Sequence, residues 1–511
     1  MRMRGLLAAL PTAAAVSTNI VNQTTCGGTT YTYSGLEGYG FVPSNATDKY
    51  GDTMGGFGSS AAFDLATWRR TGPTSYTGII YTLPDPGWNT NGTLNYQPRL
   101  HTFNLTLDLS LNATPSHPSP PNIHLTYLST LLLTGPDAQP LTGIDATFNT
   151  TIDYPGFPPL PISTYTGDGF GGPGPGGHRI PLDAEGLALP ADDPSHIWIS
   201  DEYGPYVYKF SKQTGQMAQA IQPPQAYLPR RNGTLSFSAD SPPLYDPDLT
   251  PIPADPQTGR DNNQGFEALT LSADGKPLYT MFQSALNQEG GLKSQTRSTA
   301  RLLQYNISAA GKPVYEREYA VELPKYYNYA KEKTLVAAQS ELHFLPTGDF
   351  LVLSRDSGLG RGQKHSRSVF RHADVIHIAR NTTDLRTLGT RADGVNGSIA
   401  TSDGVLHAGI TPVEYCSFLD YNIPTQLAKF GLHNGGAQDR GLLNEKWESL
   451  ALVPVDPDGA HLGKEREYFL FTISDNDFIT QDGHLNFGRF RYADDSGFDL
   501  DSQVMVFRVR F

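Results

Sequence analysis

Four glutamates lead the same short pattern in this chain and are the residues best placed to do chemistry as a group. Each is followed by an apolar alternation, a turn, a second apolar run, and then Ser beside polar or charged residues. The copies run from Glu185 to Ile199-Ser200-Asp201-Glu202, from Glu267 to Gln283-Ser284, from Glu341 to Leu353-Ser354-Arg355-Asp356, and from Glu448 to Ile473-Ser474-Asp475-Asn476. Side chains alternate along a strand, so each Glu shares a face with the residues two and four positions on. Turn formers between the two runs return the chain antiparallel, which brings the leading Glu and the trailing Ser-Asp to one edge. If the copies ring an axis, Glu185, Asp201, Glu202, Glu267, Glu341, Asp356, Glu448, Asp475 and Asp477 converge on one channel mouth. Carboxylates crowded at low dielectric raise one another's pKa or take up a cation. Calcium, a hard ion taking six to eight oxygens, suits such a set. The expected roles are Glu185, Glu267, Glu341, Glu448 and Asp475 as calcium ligands, Asp201 or Glu202 as ligand or base, and Arg355 as the group that offsets developing negative charge. The competing expectation is a scaffold, in which each Glu accepts backbone N–H bonds or pairs with Arg355 and staples adjacent blades.

Repeats on this scale call for a propeller or a solenoid. The intervals between the glutamates suit four-stranded blades with long loops. Residues from about 40 to Glu185 leave room for two more blades, one built on 55–64 and 78–85, the next on 102–108 and 125–133. The expected fold is therefore all-β, a six-bladed β-propeller with seven blades as the alternative and short helices in loops. Composition agrees: 52 Gly and 39 Pro supply turns, and only 17% of residues are charged. The best helical stretches are Tyr326 to Lys333 and Thr425 to Leu432. The Gly/Pro tract 167–177 reads as an inter-blade loop, and it lacks the Lys-Ser/Thr of a phosphate loop. The domain reading is a signal peptide over 1–18, an N-terminal segment over 19–50 and a propeller over 51–511.

Arg2 and Arg4, an apolar run from Gly5 to Leu10 and Ala13-Ala14-Ala15 resemble a secretory signal. Asn-X-Ser/Thr sequons at Asn22, Asn45, Asn91, Asn104, Asn112, Asn149, Asn232, Asn306, Asn381 and Asn396 fit a glycoprotein of the secretory pathway. No apolar stretch reaches membrane-spanning length. The expectation is a secreted, extracellular, monomeric protein with a small-molecule ester or phosphoester substrate. Cys26 and Cys416 are the two cysteines, read either as one bridge from the N-terminus to a late blade or as two buried thiols. A net charge of −13 excludes the basic footprint of a nucleic-acid binder and means that a phosphate-rich ligand would need bound cations.

Other catalytic signatures are missing. There is no Gly-X-Ser-X-Gly elbow and no His-Glu-X-X-His. Asp183-Ala-Glu185-Gly-Leu-Ala-Leu, with Trp198-Ile-Ser-Asp-Glu-Tyr-Gly-Pro205, resembles the signature of the phytase-like domain family, also called the esterase-like family of phytase. Asn263-Gln-Gly-Phe-Glu267, Trp447-Glu448-Ser-Leu and Ser474-Asp-Asn-Asp-Phe478 are similar to its later motifs, and the likeness runs from about residue 50 to 511. The resemblance implies a secreted or periplasmic β-propeller and a calcium-dependent phosphoester hydrolase. The sequence shows no basic cluster of the kind that grips phosphate, so a metal-dependent lactonase or esterase and a non-catalytic binding propeller stand beside that reading.

Overall fold

The computed structural model describes residues 20–307, 312–457 and 466–511. The expected signal peptide lies outside them. The strands form five antiparallel sheets arranged as propeller blades. Blade 1 comprises Ser60–Phe63, Ser75–Leu83, Arg99–Asp108 and Ile123–Leu132. Blade 2 comprises Ala184–Ala188, His196–Asp201, Val207–Ser211 and Met217–Ile221. Blade 3 runs from Phe266–Leu271 through Pro277–Phe282 and Thr299–Asn306 to Val314–Glu322, and blade 4 from Ala338–Phe344 through Phe350–Arg355 and Arg371–His377 to Glu414–Asp420. Blade 5 mixes the two ends of the chain: Ala451–Pro454, Glu467–Ile473 and Ser502–Arg510 are completed by Thr29–Val42 and Asn22–Cys26.

The blade number corrects the expected six or seven. Residues 102–108 and 125–133 do not found a second blade; they are the third and fourth strands of the first. The chain between 133 and 183, like that between 222 and 265, is loop and short hairpin. The hydrophobic core gives the same number independently, because each large cluster fills one gap between neighbouring blades. Leu353, Val375 and Phe418 meet Tyr31, Leu470 and Phe507 between blades 4 and 5. Phe469, Phe471 and Val504 meet Ile80, Phe103 and Leu105 between blades 5 and 1. Three further clusters fill the gaps 1–2, 2–3 and 3–4. Each fully buried aliphatic or aromatic side chain there contributes about 1.5–3 kcal/mol of transfer free energy, so the ring is held mainly by apolar packing between sheets.

Closure follows from strand exchange between the termini. Thr32–Val42 pairs antiparallel with Ser502–Arg510, so residues of the 19–50 segment belong to the propeller rather than preceding it. The Cys26–Cys416 bridge, with Cα atoms 5.9 Å apart across 390 residues of sequence, then ties the outermost strand of blade 5 to that of blade 4. Pro424–Leu427 opens a short helix as expected. Tyr326 to Lys333 instead belongs to a β-hairpin, Lys325–Asn328 with Lys333–Val336; its Tyr-Tyr pair favours strand over helix.

Candidate active site at the channel mouth

The innermost strands carry a shared irregularity that builds the site. In blades 2, 3 and 4 the register slips by one residue at the channel mouth, between Ala184 and Gly186, Phe266 and Ala268, and Gln339 and Glu341. Such a bulge leaves one residue unpaired and re-aims it. The bulged residues are Glu185, Glu267 and Ser340. In blade 5, Trp447 bridges Ser474 while Ala451 pairs with Phe471, which places the same slip around Glu448. The second strands supply a matching ring at or just beyond their last pairs: Asp85, Glu202, Gln283, Arg355 and Asp475.

These two rings enclose a polar cavity of about 250 Å³, lined by Asp85, Asp183, Glu185, Glu202, Glu267, Glu448, Gln283, Arg355 and Lys446, with Asn262, Asn263 and Gln264 from the loop before blade 3. Close backbone approach seals its walls. A Cβ on Gly58 would lie 2.2 Å from the Ser474 carbonyl carbon, and one on Gly265 would lie 2.2 Å from the Glu202 carbonyl oxygen.

Two carboxylate groups divide the cavity. Asp85, Asp475 and Asp477 gather around Lys446, whose Nζ lies 3.3, 2.5 and 2.8 Å from them. Burial alone would lower the pKa of Lys446, but Asp475, Asp477 and Asp85 outweigh it and hold the ammonium charged. Burial pushes Asp85 up to about 6, while Lys446 opposes the rise. The second group, Asp183, Glu185 and Glu202, has one oxygen from each within 4.8 Å of the others and no base among them. Burial, then the neighbouring carboxylates, push Asp183 and Glu185 well above the ordinary range. Burial likewise pushes Glu202 up to about 7, against the pull of Lys446 and Arg260. Asp183 Oδ1 is buried without a hydrogen-bond partner, as are Glu267 Oε2 and Glu448 Oε2. An unpaired buried carboxylate oxygen is costly unless protonated or bound to a cation. The Asp183–Glu185–Glu202 oxygens are close enough together that the three residues could hold one metal ion.

The residues singled out from sequence fall into two sets. Glu185, Glu202, Glu267, Glu448 and Arg355 line the cavity, and Asp475 reaches it through Lys446. Arg355 is held by Glu448 at 2.5 Å and by Glu445 at 3.9 Å, and its Nε donates to Ser340 at 3.2 Å. Gln283 donates to Glu267 and, at 3.4 Å, to Glu202. Asp201 is turned away: it accepts the backbone N–H groups of Asp183, Tyr203 and Gly204 and so shapes the loop that carries Glu202. Asp356 likewise binds Ser368 and the N–H groups of Val369 and Phe370. Glu341 sits one level down the channel and is corrected to a structural role. Its carboxylate accepts from Ser60 Oγ at 2.7 Å and from the N–H groups of Leu342 at 2.8 Å and Leu269 at 3.4 Å. It follows the bulge instead of occupying it, so the residue equivalent to Glu185 is Ser340.

The glutamate repeat did not bring out Asp85, Asp183 or Lys446. Asp183 stands in the Asp-Ala-Glu motif two residues before Glu185, and Lys446 two before Glu448. Their proximity to chemistry was visible there; of their partners only Asp85, from blade 1, belongs to another blade.

An acidic mouth on a five-bladed propeller, with Asp183, Glu185 and Glu202 buried side by side, defines the molecule structurally. The chain belongs to the phytase-like family described as having the esterase-like activity of phytase, whose model matches residues 76–478. An uncharacterized secreted protein of Arthroderma benhamiae is 56% identical over 475 residues, covering 92% of each chain. Among solved structures, a luciferin-regenerating enzyme matches 89% of this chain and 92% of its own at 10% identity and a TM-score of 0.28. The WD40 domain of Toxoplasma gondii coronin matches 96% and 88% at 8% identity and the same TM-score. No described helix is long and apolar enough to cross a membrane.

Proposed function

We propose that the protein is a secreted, calcium-dependent hydrolase of small phosphoesters working at the channel mouth. The observation that carries this is the Asp183–Glu185–Glu202 group, three buried carboxylates within ligand distance of one another, with Asp183 Oδ1 unpaired. In this reading those three residues hold the ion. A bound calcium supplies positive charge that polarises the substrate oxygen and favours deprotonation of water. Glu267 holds the proton: Gln283 fixes one of its oxygens, and the other is buried and free. Burial, then Glu202 and Glu448, raise its pKa well above the usual value, which suits a group that must accept and return a proton near neutral pH. Arg355, kept in place by Glu448 and Ser340, faces the negative charge that develops on the ester oxygens. Ionised Glu267 takes the proton of the attacking water as the new bond to phosphorus forms, and returns it to the leaving oxygen as the bond from phosphorus to that oxygen breaks.

One observation favours a second reading. Both basic residues in the cavity are already bound by carboxylates, Arg355 by Glu448 and Lys446 by three aspartates. A neutral lactone or carboxylic ester needs no further cation, whereas a multiply charged phosphate does. A panel of p-nitrophenyl phosphate, inositol phosphates, lactones and p-nitrophenyl acetate, with calcium and with chelator, separates the two. Phosphate release that requires calcium and falls about 100-fold in Glu267→Gln supports the first reading. Calcium-dependent turnover of lactones alone supports the second. Turnover indifferent to calcium and to Glu267→Gln overturns both.

A further inference from the structure

The channel does not run through the propeller. Glu341 crosses the axis where the other blades offer the small residues Ser60, Gly186, Ala268 and Ser449. Its carboxylate binds blades 1, 3 and 4, and Ser60 Oγ in turn accepts the Leu187 N–H of blade 2 at 3.0 Å. This pin closes the acidic cavity from below. On its other side the inner strands enclose a second cavity of about 300 Å³ that opens at the opposite face. Its wall is of a different kind: Phe63, Leu187, Leu271, Leu342, Phe344 and Leu452 are typical of it. The two polar groups best able to bind a ligand are already occupied. Glu341 is pinned as above, and the imidazole of His343 hydrogen-bonds the Leu450 backbone, with burial lowering its pKa to about 4 so that it is neutral. Thr270 Oγ accepts the Phe344 N–H at 3.0 Å.

We propose that this lower cavity is a binding site for a small neutral hydrocarbon-like ligand, such as an alkyl chain or aromatic ring without a charged end. Size and chemistry both lead there. Ligand pockets begin at about 300 Å³ and are lined mostly by apolar side chains with a few polar groups. No Lys or Arg lines the wall, so a carboxylate or phosphate end would be buried without a partner. The site is separate from the acidic mouth and does not depend on the hydrolase reading.

The test is a fluorescence titration of the full chain with N-phenyl-1-naphthylamine, a neutral probe that brightens in apolar surroundings. Saturable enhancement is expected, reversed by 1-decanol and at least about tenfold less well by decanoate. Ala273 is an exposed residue at the cavity rim. Ala273→Trp should therefore fold normally and weaken probe binding about tenfold or more. Leu271→Asp, which places a charge in the wall, should do the same, whereas Glu267→Gln in the upper cavity should leave binding unchanged. Enhancement that does not saturate, or that survives both Ala273→Trp and Leu271→Asp, overturns the site. Equal displacement by decanol and decanoate overturns the assignment of a neutral ligand.

Discussion

Glu202 offers the sharpest test of the acidic mouth, because its environment ties stability, pH and calcium together. Its carboxyl rises from the ordinary 4.5 to about 7 in the folded protein, chiefly through burial. For an acid shifted upward, the folded state binds the proton more tightly than the unfolded one. Stability is therefore full below about pH 4.5 and is lost as pH rises through about 7. The difference corresponds to about 3 kcal/mol once the group is ionised. Asp85, raised to about 6, acts in the same direction, but the two interact and do not add. Unfolding entropy of about 2.1 cal/mol/K per residue gives about 1 kcal/mol per kelvin for 511 residues. The calcium-free protein should thus melt about 3 °C lower at pH 8 than at pH 5 from this group alone. Calcium at 100 times its dissociation constant adds about 2.7 kcal/mol, and so restores about 2.5 °C.

The same protons govern affinity. An ion entering the Asp183–Glu185–Glu202 group displaces any proton held there, so below pH 7 calcium affinity should fall about tenfold per pH unit for each proton displaced. Differential scanning fluorimetry across pH 5–8 with calcium titrations measures both effects. Glu202→Gln and Asp183→Asn should remove the calcium response yet raise the melting temperature of the calcium-free protein at pH 8, since each deletes a buried charge. A calcium shift of equal size at pH 5 and pH 8, or variants that destabilise the calcium-free protein, would refute the reasoning.

Lys446→Met leaves Asp85, Asp475 and Asp477 without their ammonium. It should cost about 3–5 kcal/mol at pH 8 by chemical denaturation, with much of the loss recovered at pH 5, where Asp85 is protonated. Replacing both Cys26 and Cys416 with Ser should cost about 2–5 kcal/mol, because their bridge closes a very long stretch of chain, and melting should fall by a few degrees. Glu341→Ala leaves Ser60 and the Leu342 N–H unpaired at the axis and should destabilise by about 1–3 kcal/mol. Expression through a eukaryotic secretory pathway followed by peptide mass mapping should find glycan at exposed sequons such as Asn45, Asn112 and Asn381, and none at half-buried Asn104 within its strand.

The sequence revealed what is local and hid what depends on neighbours in space. Period-two alternation after Glu185, Glu267 and Glu448 was enough to place three bulged carboxylates at one rim. Glu341 was misplaced although its own alternation carried the signal. In the other copies the apolar residues fall two and four positions after the Glu (Leu187 and Leu189, Leu269 and Leu271, Leu450 and Leu452), but here they fall one and three after, at Leu342 and Phe344. A strand shifted by one residue turns every side chain to the opposite face. The out-of-phase alternation therefore marks Ser340 as the mouth residue and sends Glu341 to the pin.

The blade count failed for a related reason. Dividing chain length among blades treats all of it as strand, whereas 133–183 and 222–265 are insertions at the mouth. Those insertions matter to the site, since they bring Asp183, Asn262 and Asn263 to its walls. Lys446 shows the limit most clearly. Next to Trp447-Glu448 it reads as one more surface cation, and only the docking of blade 1 on blade 5 brings Asp85 to one side of it while Asp475 lies on the other. Its ammonium neutralises one acidic group, and that leaves Asp183, Glu185 and Glu202 as the group with no base among them.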